Sequence, residues 1–459
     1  MAARMSGDTG SATGTAARPA VGDELELRVD SLAFGGAGVA RINGYVVFVD
    51  GAFPGDLVRA RVHHRKKAYA QARATQLIEA GPDRVPALAD HPGAPWQELA
   101  YERQLEIKHS QVAEALRRIG HLEGFELAPI VPAQEQWRYR NKLEYSFGTG
   151  ADGQLVCGFH APGSWEQIQP MTDCLLASQR GNELREEVLA WCRSQGLEAL
   201  DRRDRGGFLR NLVIREGRRT GCFQVRLITA PGELDRDSLA QAVHADGVLW
   251  TSTDALGETT TGGKTELIAG VEKLEEQIGE LVVDISAEAF FQTNTEMAEQ
   301  LYALAVEACE LDGWERVFDL FCGTGTIGLS LAARAGHVYG LEIAETAVAD
   351  AIANANRNEI SNASFFAGDV RLAMRELRER AGRPDVVVLD PPRAGLSQKV
   401  VRRIIETSPK RIVYVSCNPT TLAPNAAQLV EAGWRLGRVT PVDMFPQTPH
   451  IECVAVLER

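Results

Sequence analysis

Residues 413–419 read V-Y-V-S-C-N-P, so an apolar, strand-like run stops at Cys417, immediately before Asn418 and Pro419. Strand interiors bury themselves, whereas strand tips in open α/β sheets face the crevice where ligands bind. A thiol at such a tip is placed to attack a ligand as a nucleophile. Elsewhere a cysteine at a strand end is a small buried apolar residue, and the neighbouring motifs decide between the two readings. Two further strand ends carry chemistry: D-L-F-C-G-T-G-T-I-G at 319–328 and D-P-P-R-A-G-L at 390–396. Gly323, Gly325 and Gly328 have the G-x-G-x-x-G spacing that lets a backbone turn tightly against a ligand, and Glu342 lies about twenty residues on, where an acid can accept from ribose hydroxyls. One sheet edge is therefore expected to hold a nucleotide-like cofactor, a polar reaction site and a cysteine nucleophile.

A parallel sheet must position these motifs. From about residue 284 strands and helices alternate, and V-V-V-L-D and I-V-Y-V-S-C are continuous apolar strands of the kind covered on both faces. Residues 21–80 read as five short strands separated by glycine turns, G-G-A-G-V-A at 35–40 among them, which fits an OB-like β-barrel. Residues 81–283 mix strands, turns and helices and are expected to form a central α+β region. Within it a helical period over 99–122 puts Leu105, Val112, Leu116 and Ile119 on one face, with Gly120 as its stop. That helix is expected to pack on the catalytic domain at 284–459. Residues 1–20, rich in Ala, Gly, Ser and Thr without an apolar core, read as a disordered tail rather than a signal peptide. The expected class is multidomain α/β: a Rossmann-like C-terminal domain, a central α+β region and an N-terminal barrel.

At 459 residues the chain is too long for one ordinary core. It is 44% hydrophobic and 24% charged, which is globular and soluble, and no apolar run is long enough to span a bilayer. Eight cysteines with no C-x-x-C pair argue against zinc sites and disulfide frameworks and fit a reducing cytoplasm. The net charge of −13 counts against a polyanionic partner, but its distribution does not. Residues 59–73 hold six Lys or Arg, two His and one Tyr with no acid, and W-R-Y-R-N-K at 137–142 and residues 202–219 are also basic. Arg59, Arg61, Arg65, Lys66, Lys67, Arg138, Arg140, Lys142 and Arg210 are the candidates for phosphate contact.

Taken in order, the motifs resemble the RNA uracil-C5 methyltransferases, which make 5-methyluridine with S-adenosylmethionine. The resemblance covers nearly the whole chain: G-G-x-G-V-A and P-G-D of a TRAM barrel, F-F-Q-T-N at 290–294, then the two motifs above, V-S-C-N-P-T-T-L-A at 415–423 and D-M-F-P-Q-T-P-H-I-E-C-V at 443–454. It implies Cys417 as nucleophile and Glu452 as proton acceptor. It implies Gln292, Phe321, Gly323, Thr326, Glu342, Asp369 and Asp390 as cofactor residues, with Glu342 at the ribose and Asp369 near the adenine. Cys322 and Cys453 neighbour motifs without occupying a catalytic position. The partner it implies is 23S rRNA, because the best-known tRNA enzymes of the family lack the barrel; a T-loop uridine of tRNA is the alternative. A cytoplasmic monomer with no membrane partner is expected.

One departure stands out. Many barrel-bearing members hold a [4Fe–4S] cluster on four cysteines, whereas residues 84–101 here contain none and only Cys174 matches a ligand. One thiolate cannot hold a cluster, so no metal is expected, and Pro92, Pro95 and Trp96 are expected to pack the 84–98 loop instead. Among other readings, amino-group methyltransferases place an aromatic residue after the proline pair, where Arg393 stands. Cytosine-C5 enzymes place a second cysteine where Pro392 stands. A nicotinamide oxidoreductase has no need of D-P-P or Cys417, and a non-catalytic RNA-binding protein has no need of Cys417 with Glu452.

Overall fold

The computed structural model describes residues 18–459 apart from 202, 204, 205, 256 and 258. The tail expected over 1–20 therefore lies, up to residue 17, outside the described residues, as do three positions of the basic segment 202–219. Two compact units are present, one of residues up to 86 with 98–100, the other of 87–97 with 101–459.

The first unit is the barrel: β1 (Glu24–Arg28), β2 (Ser31–Leu32), β3 (Gly38–Ile42), β4 (Tyr45–Asp50), β5 (Leu57–Arg65) and β6 (Tyr69–Glu79). They pair in the order β1-β5-β6-β4-β3-β2, antiparallel except for β4 with β6. Six strands appear where five were expected, the extra one being the two-residue β2. Alternation sends Val47, Val49, Val58, Ala60, Val62, Ala70 and Ala72 into one core, as period-two patterning requires. The P-G-D turn has a structural reason. Asp56 is fully buried, accepts from the backbone N–H groups of Phe53 (2.7 Å) and Gly81 (2.8 Å), and pairs with Arg84 at 3.0 Å.

In the second unit a seven-stranded sheet carries the central region, and helix Gln179–Ser194 packs its buried face against it. An eight-stranded sheet carries the motifs. Its order is Ala363–Ala367, His337–Glu342, Arg316–Leu320, Val386–Leu389, Arg411–Ser416, Glu452–Glu458, Arg435–Val442 and Glu126–Leu127. The first five strands are mutually parallel, and Glu452–Glu458 inserts antiparallel next to Arg411–Ser416. All four residues of Val386–Leu389 are buried, as an apolar run covered on both faces should be.

Two expectations shift. The hairpin Leu274–Ile278/Leu281–Ile285 shares its core with helix Thr295–Ala308 and the catalytic strands, so the boundary drawn at 284 cuts through a strand. Helix α1 (Tyr101–Glu114) buries Gln104, Ile107, Lys108 and Val112, while Leu105 is only half-buried. A π turn over Ala115–Ile119 then adds a residue to the last turn; Leu116 stays buried, but Ile119 rotates out to 47% exposure. The polar face is buried because it has partners: Lys108 Nζ pairs with Asp443 at 2.6 Å and bonds Phe445 O, and Gln104 exchanges two hydrogen bonds with Gln447.

Candidate active site

Strand register brings the nucleophile and base candidates together. Ser416 pairs with Cys453 across the antiparallel ladder, so Cys417 and Glu452 are the next residues facing each other at the strand tip. Beyond Cys417 the chain must turn at once into helix Pro419–Glu431. Asn418 caps that helix, accepting from Thr420 N at 3.0 Å, and Pro419 sits where a missing N–H costs nothing. The same Asn418 side chain donates to Arg393 O at 3.0 Å, and Thr421 Oγ1 donates there as well. D-P-P-R and S-C-N-P are thereby tied into one unit.

The electrostatics of this tip are unusual. Glu452 is 3% exposed and its carboxyl is pushed well above the usual range, by burial first and then by the charge of Asp390. Asp390 directly follows the last residue of strand Val386–Leu389, and burial in the surrounding protein pushes its carboxyl up to about 7. Burial and then Asp390 also push Asp319 up to about 7; neither of its carboxylate oxygens has a full hydrogen bond. Cys417 is pushed up to about 12 by burial and by the Glu452 and Asp390 charges, and Arg393 acts the other way. Burial together with two carboxylates outweighs both Arg393 and the helix N-terminus behind the thiol. Perturbed carboxyls clustered beside a thiol make this strand tip the candidate functional site.

Arg393 Nη2 lies 3.2 Å from His450 Nδ1. Burial, then Arg393, Arg140 and Lys108 push His450 down to about 4, so the ring is neutral. Since arginine only donates, Nδ1 is the accepting nitrogen. His450 in turn packs edge-on to Phe445, whose ring carries the Arg140 guanidinium at 5.8 Å.

The glycine loop fits a bound ligand. Phe321 adopts φ 65° at the tip of strand Arg316–Leu320, a left-handed conformation rare for a bulky residue. Gly325 has φ 81°, and a Cβ on Gly328 would meet Asp319 Oδ2 at 2.7 Å. Glu342 holds the loop: Oε2 accepts from Gly323 N at 3.2 Å and Oε1 from Ile343 N and Ala344 N, leaving a lone pair on Oε2 for a hydroxyl. Asp369 caps helix Val370–Ala381 and pairs with Arg371. Thr326 opens helix Thr326–Ala332 with its hydroxyl turned inward to Tyr302. Gln292 is buried, and its carbonyl accepts from Asn141 Nδ2 at 2.8 Å.

Asn141 shows what W-R-Y-R-N-K does in the fold. It also bonds Thr295, while Tyr139 donates to Pro446 O and Asn294 to Met444 O, clasping F-F-Q-T-N and the 443–447 segment together. The basic candidates beside it are committed to the fold: Arg138 to Asp173, Lys142 to Glu144, and Arg210 to the carbonyls of Ala255 and Gly257. Sequence reasoning did not single out Asp319, Asn141, the Lys108–Asp443 pair or the Arg393–His450 contact. Asp319 was findable as the acid heading the glycine motif. The Lys108 pair had no local signal.

Residues around Cys174 do not fit an iron–sulfur cluster. Gly93 N donates to His91 Nδ1, so the neutral ring carries its proton on Nε2, 3.2 Å from Cys174 Sγ. Among the described residues no three His, Cys, Asp or Glu side chains gather into a metal-ligating group. Trp96 is buried at 1% exposure as expected and Pro92 is half-buried, but Pro95 is exposed; His91 is buried in the same loop. Among the described residues no helix is long and apolar enough to cross a membrane.

Comparison with known proteins finds RNA methyltransferases. The family model described as tRNA (Uracil-5-)-methyltransferase matches residues 269–459, and the TRAM domain model matches 19–75. An uncharacterized RNA methyltransferase of Halalkalibacterium halodurans is 37% identical over 95% of this chain and 97% of its own. One from Chlorobaculum tepidum is 36% identical over 91% and 92%. Among solved structures, the Pyrococcus abyssi tRNA (uracil-54, C5)-methyltransferase in complex with S-adenosyl-L-homocysteine superimposes with a TM-score of 0.78. It is 29% identical and covers 94% of this chain and 100% of its own.

Proposed function

The chain belongs to the RNA uracil-C5 methyltransferases, S-adenosylmethionine-dependent enzymes that methylate RNA, and from that premise we propose that it methylates uridine C5 through a covalent adduct on Cys417. The carrying observation is the register that sets Cys417 opposite Glu452 beside Asp390 and Arg393. S-Adenosylmethionine, when bound, supplies an electrophilic methyl group. Uracil C5 is a poor nucleophile until Cys417 Sγ adds to C6, which moves the ring electrons toward C5 and O4. Once C5 carries the methyl group, Glu452 removes the C5 proton. The electrons of that C–H bond form the C5–C6 double bond as the C6–Sγ bond breaks, returning the thiolate. A carboxyl held well above its usual range is a better base than an ordinary glutamate.

Asp319, Phe321 and the Gly323–Gly325–Gly328 turn form the cofactor cradle, with Glu342 at the ribose, Asp369 near the adenine, Gln292 and Thr326 at its sides, and Asp390 where cofactor and base meet. The enzyme acts as a cytoplasmic monomer; its eight cysteines are all free thiols.

The target we propose is 23S rRNA, supported by the barrel together with the long central region. The second reading is a T-loop uridine of tRNA. It is favoured by the P. abyssi tRNA enzyme, whose full length superimposes on 94% of this chain, so that the barrel alone does not separate the two. Mapping 5-methyluridine in rRNA and tRNA of a deletion strain decides between them. For the chemistry, RNA containing 5-fluorouridine traps the adduct, because fluorine cannot leave as a proton. A denaturation-resistant complex is expected with the wild type and none with Cys417→Ala. Trapping by that variant would remove Cys417 from the mechanism.

A further inference from the structure

Alternation along the barrel strands puts aromatic rings on its outer face. β4 turns Val47 and Val49 inward, so Val46, Phe48 and Asp50 face out; β6 turns Ala70 and Ala72 inward, so Tyr69, Gln71 and Arg73 face out. Phe48 and Tyr69 are half-buried and pack edge to face at 5.4 Å. Lys66 Nζ lies 5.6 Å from the Tyr69 ring centroid, and the Tyr45 hydroxyl fixes the Lys66 carbonyl at 2.7 Å. Beside them Arg18 stacks on Tyr45 at 5.8 Å, over a cleft of about 350 Å³ that Asn43 and Lys67 also line.

Charge separates this edge from the rest of the barrel. Arg28, Arg41 and Arg59 are paired with Glu79, Asp30 and Glu26. Lys66 and Lys67 have no carboxylate within ion-pair distance among the described residues. On a chain of net charge −13, unpaired cations around half-buried rings on the barrel's outer face are the place where a polyanion gains most.

We propose that Phe48 and Tyr69, flanked by Lys66 and Lys67, form a stacking platform for a single-stranded segment of the RNA substrate. Bases in a duplex are already stacked, whereas unpaired bases offer a π-face to aromatic side chains, and cations along the edge take the phosphates. The contact tolerates any sequence, so it anchors an unpaired RNA segment without choosing the uridine to be methylated. It rests on the reading that RNA is the substrate, but not on the Cys417 chemistry.

The test is binding of a fluorescent oligouridylate of about ten nucleotides, within the ~4–16 nucleotide footprint of such barrels, to the full-length protein. Phe48→Leu and Tyr69→Leu should each weaken binding about five-fold or more with an unchanged salt slope, and Tyr69→Phe should restore it. Lys66→Gln/Lys67→Gln should instead flatten the salt slope by about 0.7 per lost phosphate contact. A 2-aminopurine placed in the strand should lose emission on the wild type and keep it on Tyr69→Leu, a readout that follows stacking rather than barrel stability. Equal binding by the leucine variants, equal affinity for an RNA duplex, or preference for an acidic peptide would overturn the proposal. Trapping of 5-fluorouridine RNA by Cys417 is read on the same samples and reports the mechanism separately.

Discussion

Three carboxyl groups, Asp319, Asp390 and Glu452, crowd the interior tip of the catalytic sheet, whereas Arg61, Arg65, Lys66 and Lys67 stand in water on the barrel with no carboxylate partner among the described residues. The first region is costly for folding, because burial raises all three carboxyls and the charge of Asp390 raises Asp319 and Glu452 further. A cationic methyl donor is favoured beside such a cluster. The second region costs folding little, because exposed cations are well hydrated, and it gains only when a polyanion arrives. Burial therefore separates the residues proposed to do chemistry from those proposed to hold substrate, even where both are simply charged side chains.

Removing one carboxyl from the tip tests that contrast most strongly. Glu452→Gln should still allow addition of Cys417 and methyl transfer but stall afterwards, lowering turnover by about 10²–10⁴-fold. Covalent enzyme–RNA should then accumulate on natural uridine, visible on a denaturing gel. Rapid turnover would move the proton to water or to another acid. Next in size is the latch behind the tip. Lys108→Met leaves Asp443 buried without its cation, which should cost ~3–5 kcal/mol of stability by urea unfolding, and Lys108→Met/Asp443→Leu should cost less than the single change. If the single variant proves as stable as the wild type, the 443–447 segment is held by its other contacts, those of Tyr101, Gln104, Tyr139 and Asn294 among them.

The two regions also differ in how readily the sequence revealed them. Cys417, Asp390 and Glu342 were legible because each ends an apolar run, where strand period and chemistry coincide in a few adjacent residues. The buried face of α1 was not, since Gln104 and Lys108 look like solvent residues until partners 343 and 335 positions away are known. Long-range pairing leaves no trace in local periodicity, and the π turn at Ala115–Ile119 shifted the face that periodicity did suggest. The basic run 59–73 was legible as charge but not as geometry. Only the folded barrel shows that Arg59 is matched by Glu26 while Lys66 and Lys67 meet no acid among the described residues.

Arg393 is the exception at the tip, a cation among acids, and its removal gives the smallest and most specific effect. Its charge opposes the upward push on both Cys417 and Glu452. Without it the thiol, already pushed up to about 12, rises further, and less thiolate is present at any given pH. Arg393→Gln should therefore shift the alkaline rise of 5-fluorouridine adduct formation toward higher pH by about one unit, a roughly ten-fold slower reaction at neutral pH. His450 is also relieved of a neighbouring charge, so its imidazole should titrate above its present value of about 4. Arg393→Lys keeps the charge and loses the fixed guanidinium fork, so its pH profile should stay in place while its rate falls. His450→Ala removes the acceptor that holds Arg393 Nη2 and should resemble the lysine variant, with the profile unmoved and the rate lower. A profile that stays put in Arg393→Gln would mean that the thiolate is formed by the bound RNA and cofactor, with Arg393 serving only to tie the two motif loops through its carbonyl.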